Sequence, residues 1–218
     1  MLKELIYKYC NTSFTHKIYF HNECGEKINK KFTFSSAKGY LDEYLGFYKS
    51  LDNFNDVIRL SCLGIFEFNY GGQIYRVRHP HQHHYKNFKG EERGVELIKL
   101  HEMSTKLLKS SYSISQSKAF EDIHEIVNHE KINGFGPLAV YDTSVRIGMS
   151  MNIRPSNVYL HAGAQKGMAN LEEKTFVSLG TSEMDSVSLE ILPEELRSLH
   201  PIQIENFLCL YKDDFKLL

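Results

Sequence analysis

The chain has 218 residues, 42% of them hydrophobic, and a formal net charge of −1. This length suits one large domain or two small lobes, and the apolar content is enough for a substantial core. Because the net charge is close to zero, the electric field of the whole protein does not attract nucleic acid. Binding to nucleic acid would therefore require a local basic surface.

Four cysteines, at positions 10, 24, 62 and 209, are widely spaced in the chain. Because no CxxC pair is present, the sequence predicts neither a zinc ribbon nor a thioredoxin-type site, and thiols in a reducing cytoplasm are expected. The first ten residues lack the apolar segment of a signal peptide, and no apolar run is long enough to span a membrane. We therefore expect a soluble cytoplasmic protein that has no membrane partner.

The N-terminal part of the chain combines strand and helix signals. Residues 17–21 and 31–34 predict two short strands, with Gly25 in the turn between them. Apolar residues then recur at helical spacing, which predicts helices over 38–50 and 52–66.

The central part begins with the Gly71-Gly72 pair, which breaks the preceding helix. Residues 73–77 predict an extended segment that leads into a histidine-rich loop. Charged and apolar residues at helical spacing predict a helix over 91–109. Ser117 is the expected N-cap of a further helix over 118–130.

The C-terminal part is predicted to be mostly helical. A helix over 137–149 follows a glycine turn, another begins near 161–167, and Pro201 begins the last one. Residues 176–192 carry short extended pieces. The sequence thus predicts a mainly α fold, a helical domain with a small N-terminal β element.

We expect a single domain over residues 1–218. The alternative is a division into an N-terminal α+β lobe, residues 1–110, and a helical lobe, residues 111–218.

The segment from Lys131 to Pro137 contains two glycines, Gly134 and Gly136, that flank one apolar residue. Glycine accepts positive φ and proline suits the first turn of a helix, so one helix is expected to end near Gly134 and another to begin at Pro137. Such a turn presents backbone N–H groups at a helix N-terminus, where phosphate binds without a side chain. The alternative is a plain pair of helices that binds nothing.

This turn resembles the helix-hairpin-helix of base-excision DNA glycosylases. The residues that fit the pattern of that motif are Ile132, Gly134, Phe135, Gly136 and Ala139. The resemblance covers about residues 118–167 and implies that the turn binds the phosphate backbone of DNA. Short hairpins of this kind also occur in ligases, polymerases and repair nucleases, so DNA binding is implied more strongly than glycosylase chemistry.

Two positions depart from the family pattern. Leu138 stands where lyase-type members carry a catalytic lysine, so the resemblance implies a monofunctional enzyme. Tyr159 stands where the catalytic aspartate is expected, and tyrosine supplies no carboxylate of low pKa. Asp142, six residues after Gly136, is the nearest carboxylate for this role. A surface pair with Arg146, four residues later, is the ordinary alternative.

A second stretch, from His161 to Gly167, is rich in small residues, which permit close approach of a helix or a ligand. His161 is a candidate hydrogen-bond donor or base, or else a packed polar residue that is bonded to backbone. Lys166 is a candidate phosphate contact, or else a solvated surface lysine.

The loop over residues 76–86 concentrates histidines. If it is extended, His79, His81 and His83 share one face and could hold Zn²⁺. Because no neighbouring carboxylate or thiolate completes such a site, we predict no metal and no cofactor.

The same loop carries the highest local density of positive charge, which favours contact with phosphate. Gln82 is placed to reach bases by hydrogen bonding, and Lys89 adds a further cation. The candidate DNA-binding residues of the loop are Arg76, Arg78, His81, Gln82, His83 and Lys86. The alternative is a solvated loop.

The leading hypothesis is a DNA-binding protein of the glycosylase type. It flips a modified or damaged base out of the stack and hydrolyses the N-glycosidic bond, in repair or in defence against modified foreign DNA. Asp142, His161 and Tyr159 are its candidate catalytic residues. The alternatives are a non-catalytic helix-hairpin-helix DNA-binding protein and a metal nuclease that uses His81, His83 and His161.

Overall fold

Helices dominate the architecture, so the prediction of a mainly α fold is confirmed. The structure, a computed structural model, describes residues 1–21, 27–86 and 90–218. Within these ranges, no helix is long and apolar enough to cross a membrane. The helices are α1 (Leu2–Asn11), α2 (Ala37–Lys49), α3 (Phe54–Leu63), α4 (Leu97–Lys109), α5 (Ser111–Ser115), α6 (Phe120–Glu130), α7 (Pro137–Ser150), α8 (Ala162–Glu173) and α9 (Pro201–Tyr211).

The strands form small two-stranded sheets that join β1 to β2, β3 to β4, β5 to β6 and β7 to β8. Their bounds are β1 (Phe14–His21), β2 (Lys27–Phe34), β3 (Ile65–Tyr70), β4 (Gln73–Arg78), β5 (Tyr85–Lys86), β6 (Glu92–Arg93), β7 (Val158–Tyr159) and β8 (Ser186–Val187). In the β3–β4 hairpin, Phe66 lies opposite Val77 and Tyr70 lies opposite Gln73. The Gly71-Gly72 turn closes it with positive φ at both residues.

The chain divides into two compact units. The first contains residues 1–14, 34–41 and 155–218, with α1, α8 and α9. Its apolar core includes Leu2, Leu5, Tyr9, Val158, Leu160, Met168, Leu171, Ile204, Phe207, Leu208 and Phe215. A side chain at Gly167 would collide with the carbonyl oxygen of Leu208, so the small residues after His161 let α8 approach α9 closely.

The second unit contains residues 15–33 and 42–154. Helices α3, α4, α6 and α7 surround its core, which includes Val57, Ile58, Leu100, Met103, Leu107, Ile123, Val127, Phe135, Val140 and Ile147. Phe32 packs its ring against Phe68 and Tyr75, with centroids 5.0 Å and 4.9 Å apart. Through these edge-to-face contacts, β2 packs against the β3–β4 hairpin within this unit.

The predicted helix over 52–66 is wrong at its C-terminal end. Gly64 has a φ of 64°, and its N–H bonds to the carbonyl groups of Leu60 and Ser61. This left-handed residue ends α3, and Ile65 begins a strand instead of extending the helix.

Two further boundaries differ from the prediction. The helix over 91–109 begins only at Leu97, because Glu92–Arg93 pairs with Tyr85–Lys86 as a short strand. Ser117 does not cap α6, because the carboxylate of Asp122 accepts the N–H groups of Lys118 and Ala119 at 3.0 Å each.

Other predictions agree with the fold. The strands near 17–21 and 31–34 are present, and so are the helices over 38–50 and 137–149 and the helix that Pro201 begins. Helix α1 was not predicted, although Leu2, Leu5 and Tyr9 form its buried face. Gly25 lies outside the described residues. The correspondence of α6 and α7 to a helix-hairpin-helix, and a boundary near residue 110, stay predictions.

Candidate active site

The turn between α6 and α7 is built around one buried side chain. Phe135 is only 2% exposed, packs in the core, and donates its N–H to the carbonyl of Ile132 at 3.0 Å. Gly134 has a φ of 88°, a backbone conformation that residues other than glycine rarely adopt. Gly136 then occupies the N-cap position of α7, followed by Pro137. Phe135 therefore fixes the turn while the two glycines stay at the surface.

The backbone N–H groups of Gly134 and Gly136 have no hydrogen-bond acceptor among the described residues. The turn, residues 131–137, lines a surface depression of about 410 Å³. Because this depression lies at the N-terminus of the 14-residue helix α7, the helix dipole adds positive potential to it. Such a surface is suited to an anion such as phosphate.

Two lysines flank the turn. The Cγ atom of Lys99, on α4, lies 3.9 Å from the position that a Cβ atom of Gly134 would occupy. Lys131 begins the turn and donates to the side chain of Asn128 at 3.0 Å. The sequence did not point to Lys99, because its approach to the turn depends on how α4 packs in this unit.

Asp142 lies on α7 and faces a cluster of polar side chains from the same unit. Its Oδ2 atom is 2.8 Å from Nδ1 of His81, 3.4 Å from a guanidinium nitrogen of Arg146, and 3.9 Å from Nδ1 of His79. The Asp142 side chain is 13% exposed. The carboxylate is thus enclosed by cationic and imidazole groups but still reaches solvent.

Arg146 is completely buried, so the expectation of an ordinary surface pair with Asp142 is wrong. Its Nε donates to the hydroxyl of Tyr44, and its two terminal nitrogens donate to the carbonyl of Ser61 at 2.9 Å and to Oε1 of Gln82 at 2.8 Å. These bonds join α7 to α2, α3 and the loop after β4. A buried cation is tolerated because every nitrogen of its planar group has an acceptor.

The cluster holds Asp142 in its ionised form. Burial alone raises the pKa of this carboxyl, but the interaction and hydrogen bond with the neighbouring His81, together with the charge of Arg146, outweigh it and hold the pKa well below its usual range. For Arg146, burial lowers the pKa, whereas the neighbouring oxygens of Tyr44, Tyr48 and Asp142 raise it and leave the net shift upward. Asp142 and Arg146 are therefore both charged at neutral pH.

His79 is packed more tightly than His81. Its ring stacks on Tyr44 with centroids 5.0 Å apart and 23° between the planes, and it meets the edge of the His81 ring at 4.6 Å. Burial, then the charge of His81, lowers the pKa of His79 well below its usual value. His79 is therefore a neutral imidazole, and its ring packs against that of the more exposed His81.

The histidine loop is not extended, which overturns the expectation that His79, His81 and His83 share a face. Pro80–Gln82 forms a 3-10 turn that brings His79 and His81 together, while His83 Nε2 lies 3.1 Å from the carbonyl of Arg78. The expectation that no carboxylate neighbours this loop is also wrong, because Asp142 does. One donor atom from each of His79, His81 and Asp142 lies within 4.8 Å of the others.

The positive charge of this loop is partly neutralised. Arg76 pairs with Glu67 at 2.6 Å, and Lys86 pairs with Glu92 at 3.2 Å. Arg78 is half-buried. Lys89 lies outside the described residues.

Gln82 is completely buried and bonded to Arg146, so its amide does not face solvent. Contact between Gln82 and a base would require the loop to open. The DNA-binding roles of the loop residues stay predictions.

The remaining candidates belong to the other compact unit. Tyr159 lies in β7 and His161 is the N-cap residue of α8, with their rings 6.0 Å apart. Lys166 is exposed on α8. Their catalytic and DNA-binding roles stay predictions.

Comparisons with protein-family models, with curated proteins and with solved structures find no match to this chain. The site is therefore interpreted from its own chemistry: an exposed glycine turn lies at the N-terminus of α7, and an ionised carboxylate lies on the same helix.

Proposed function

We propose that this chain binds duplex DNA through the turn at residues 131–137 and excises a base by hydrolysis of its N-glycosidic bond, with Asp142 as the catalytic carboxylate. The observation that carries the proposal is the pair of unsatisfied N–H groups at Gly134 and Gly136, at the N-terminus of the helix that also carries Asp142. These N–H groups bind one phosphate of the backbone.

Charge around the turn supports the same partner. Lys99 and Lys131 lie beside the glycines, and both side chains are long enough to reach phosphates that neighbour the bound one. The Lys99 ammonium is paired with Glu102 at 2.8 Å and exchanges this partner for a phosphate when DNA binds. The net charge of −1 provides no overall attraction to DNA. A local site of this kind provides the attraction instead.

The chemical step requires a group that stabilises positive charge on the sugar as the base departs. Asp142 is suited to this role because its carboxylate is held ionised and reaches solvent. His81 fixes the orientation of that carboxylate through the 2.8 Å contact between Nδ1 and Oδ2, and in the neutral form of the ring Nε2 accepts a proton from an attacking water.

A non-catalytic DNA-binding protein is the second candidate, favoured by Tyr159 at the position where the resemblance places the catalytic acid. It shares the phosphate contact of the turn with the first candidate and lacks the chemical step. The two candidates therefore differ in product, and binding alone does not separate them.

The test is base release from duplexes that each carry one modified base, in the absence of added metal, followed by hot alkali. Base excision predicts strand breaks that appear only after alkali, and Asp142→Asn should lower product by at least about 100-fold while retaining DNA binding. DNA binding without product from any duplex would support the non-catalytic protein. Strand breaks without alkali that require Mg²⁺ or Mn²⁺ would contradict base excision and support a nuclease.

A further inference from the structure

We propose that His79, His81 and Asp142 form a binding site for a divalent transition-metal ion, with Zn²⁺ as the natural candidate. One ring nitrogen from each histidine and one carboxylate oxygen lie within 4.8 Å of one another. Imidazole and carboxylate together are the donor set that Zn²⁺ and its neighbours in the first transition row prefer. Three protein ligands leave further positions for water, as in catalytic sites rather than structural ones.

The distances between the donor atoms fit an ion after a small adjustment. Ligand atoms about 2.1 Å from a tetrahedral ion lie roughly 3.4 Å from one another. Asp142 Oδ2 is 2.8 Å from the His81 nitrogen and 3.9 Å from the His79 nitrogen, so the required spacing falls between the two distances. The His81 side chain is 35% exposed, so an ion can reach it from solvent.

The surroundings hold the donors in place before an ion arrives. His79 Nδ1 accepts the backbone N–H of His81 at 3.4 Å, a long hydrogen bond that this nitrogen exchanges for the ion when the ion binds. Tyr44 supports the ring of His79 by stacking, and Arg146 fixes Asp142 from the opposite side. Because Arg146 is a buried cation, it opposes a dication, and the affinity should be lower than that of a structural zinc site.

Occupation by an ion has a consequence for the chemistry of the chain. The ion would take the carboxylate oxygen that is proposed to face the developing sugar cation, so Zn²⁺ should inhibit base excision. This consequence rests on the proposed function, whereas binding of the ion does not.

The experiment is calorimetric titration of the full chain with ZnCl₂ at neutral pH without DNA, and absorption spectra with Co²⁺ as a second probe. We expect one ion per chain, and His81→Gln should weaken binding by more than about 100-fold. His84→Gln is the matched control, because His84 belongs to the same loop, is exposed, and pairs with Glu92 outside the cluster. The control should bind as the wild type does.

Circular dichroism of each variant shows whether it is folded, and Zn²⁺ should raise the melting temperature of the wild type but not of His81→Gln. Absence of saturable binding by the wild type, or wild-type affinity in folded His81→Gln, would overturn the proposal. Since DNA takes no part in the titration, a failure of base excision and a failure of metal binding are separate results.

Discussion

Arg146 and Asp142 lie one turn apart on α7 and form an ion pair of 3.4 Å in which the arginine side chain is completely buried. The same guanidinium also donates hydrogen bonds to Tyr44, Ser61 and Gln82. A single side chain therefore connects the helix of the candidate site to three other segments of its unit. The geometry around Asp142 therefore depends on Arg146.

Arg146→Met should lower the free energy of unfolding by about 3–5 kcal/mol, because it leaves the buried partners of the guanidinium without a donor. Chemical denaturation measures this change. Arg59→Met is the matched control, since Arg59 forms an exposed ion pair with Asp56 and its loss should cost less than about 1 kcal/mol. Equal losses in the two variants would contradict the role given to Arg146.

Glu172 should make the stability of the first unit depend on acid pH. Hydrogen bonds from the backbone N–H groups of Gly180 and Ser182, at 2.9 Å and 2.8 Å, lower the pKa of this carboxyl. Its contribution is therefore fully present above the ordinary value of 4.5 and is lost as pH falls through the lower pKa of the folded protein.

Thermal melting across this acid range should show a shallower loss of stability in Glu172→Gln than in the wild type. Glu173→Gln changes the neighbouring exposed residue and should follow the wild-type curve. The assignment fails if the curves of Glu172→Gln and Glu173→Gln coincide.

Cys62 should resist alkylation in the native protein. Complete burial raises the pKa of its thiol to about 12, so almost no reactive thiolate forms at neutral pH. Mass spectrometry after brief treatment with iodoacetamide should find Cys62 unmodified until denaturant is added. Rapid native labelling of Cys62, at the rate of the half-buried Cys209, would show that the α3 core is open.

Local signals predicted much of the fold but little of the site. The glycine turn before α7 was readable because glycine adopts a positive φ at little cost, as Gly134 does, whatever packs around it. The end of α3 was misplaced, because the apolar spacing continues past Gly64 into a strand.

The contacts of Asp142 could not be read from the sequence. Its partner His81 is 61 residues away, and Arg146 reaches Tyr44 across 102 residues. Sequence spacing alone suggested a surface pair between Asp142 and Arg146, whereas burial of the guanidinium follows from the packing of α7 against α3.

Lys99 and Lys131 should each contribute to the salt dependence of DNA binding. Replacement of either by glutamine removes one phosphate contact, so the slope of log K against log salt should become less steep by about 1. Fluorescence anisotropy at several salt concentrations measures the slope. Lys109→Gln, on the same helix as Lys99 but in its last turn, should leave it unchanged. An unaltered slope in both test variants would remove these lysines from the interface.

The affinity of Gly136→Val for duplex DNA tests the central claim most directly. A Cβ atom at Gly136 meets nothing within 4 Å and its φ of −74° suits any residue, so valine should fold normally while it blocks phosphate from the turn. We predict that the wild type binds a duplex and that Gly136→Val binds about tenfold or more weakly, a loss of at least about 1.4 kcal/mol. Gly46→Val, at an equally open position on α2, should bind as the wild type does. No binding by the wild type, or equal affinity in folded Gly136→Val, would contradict the account.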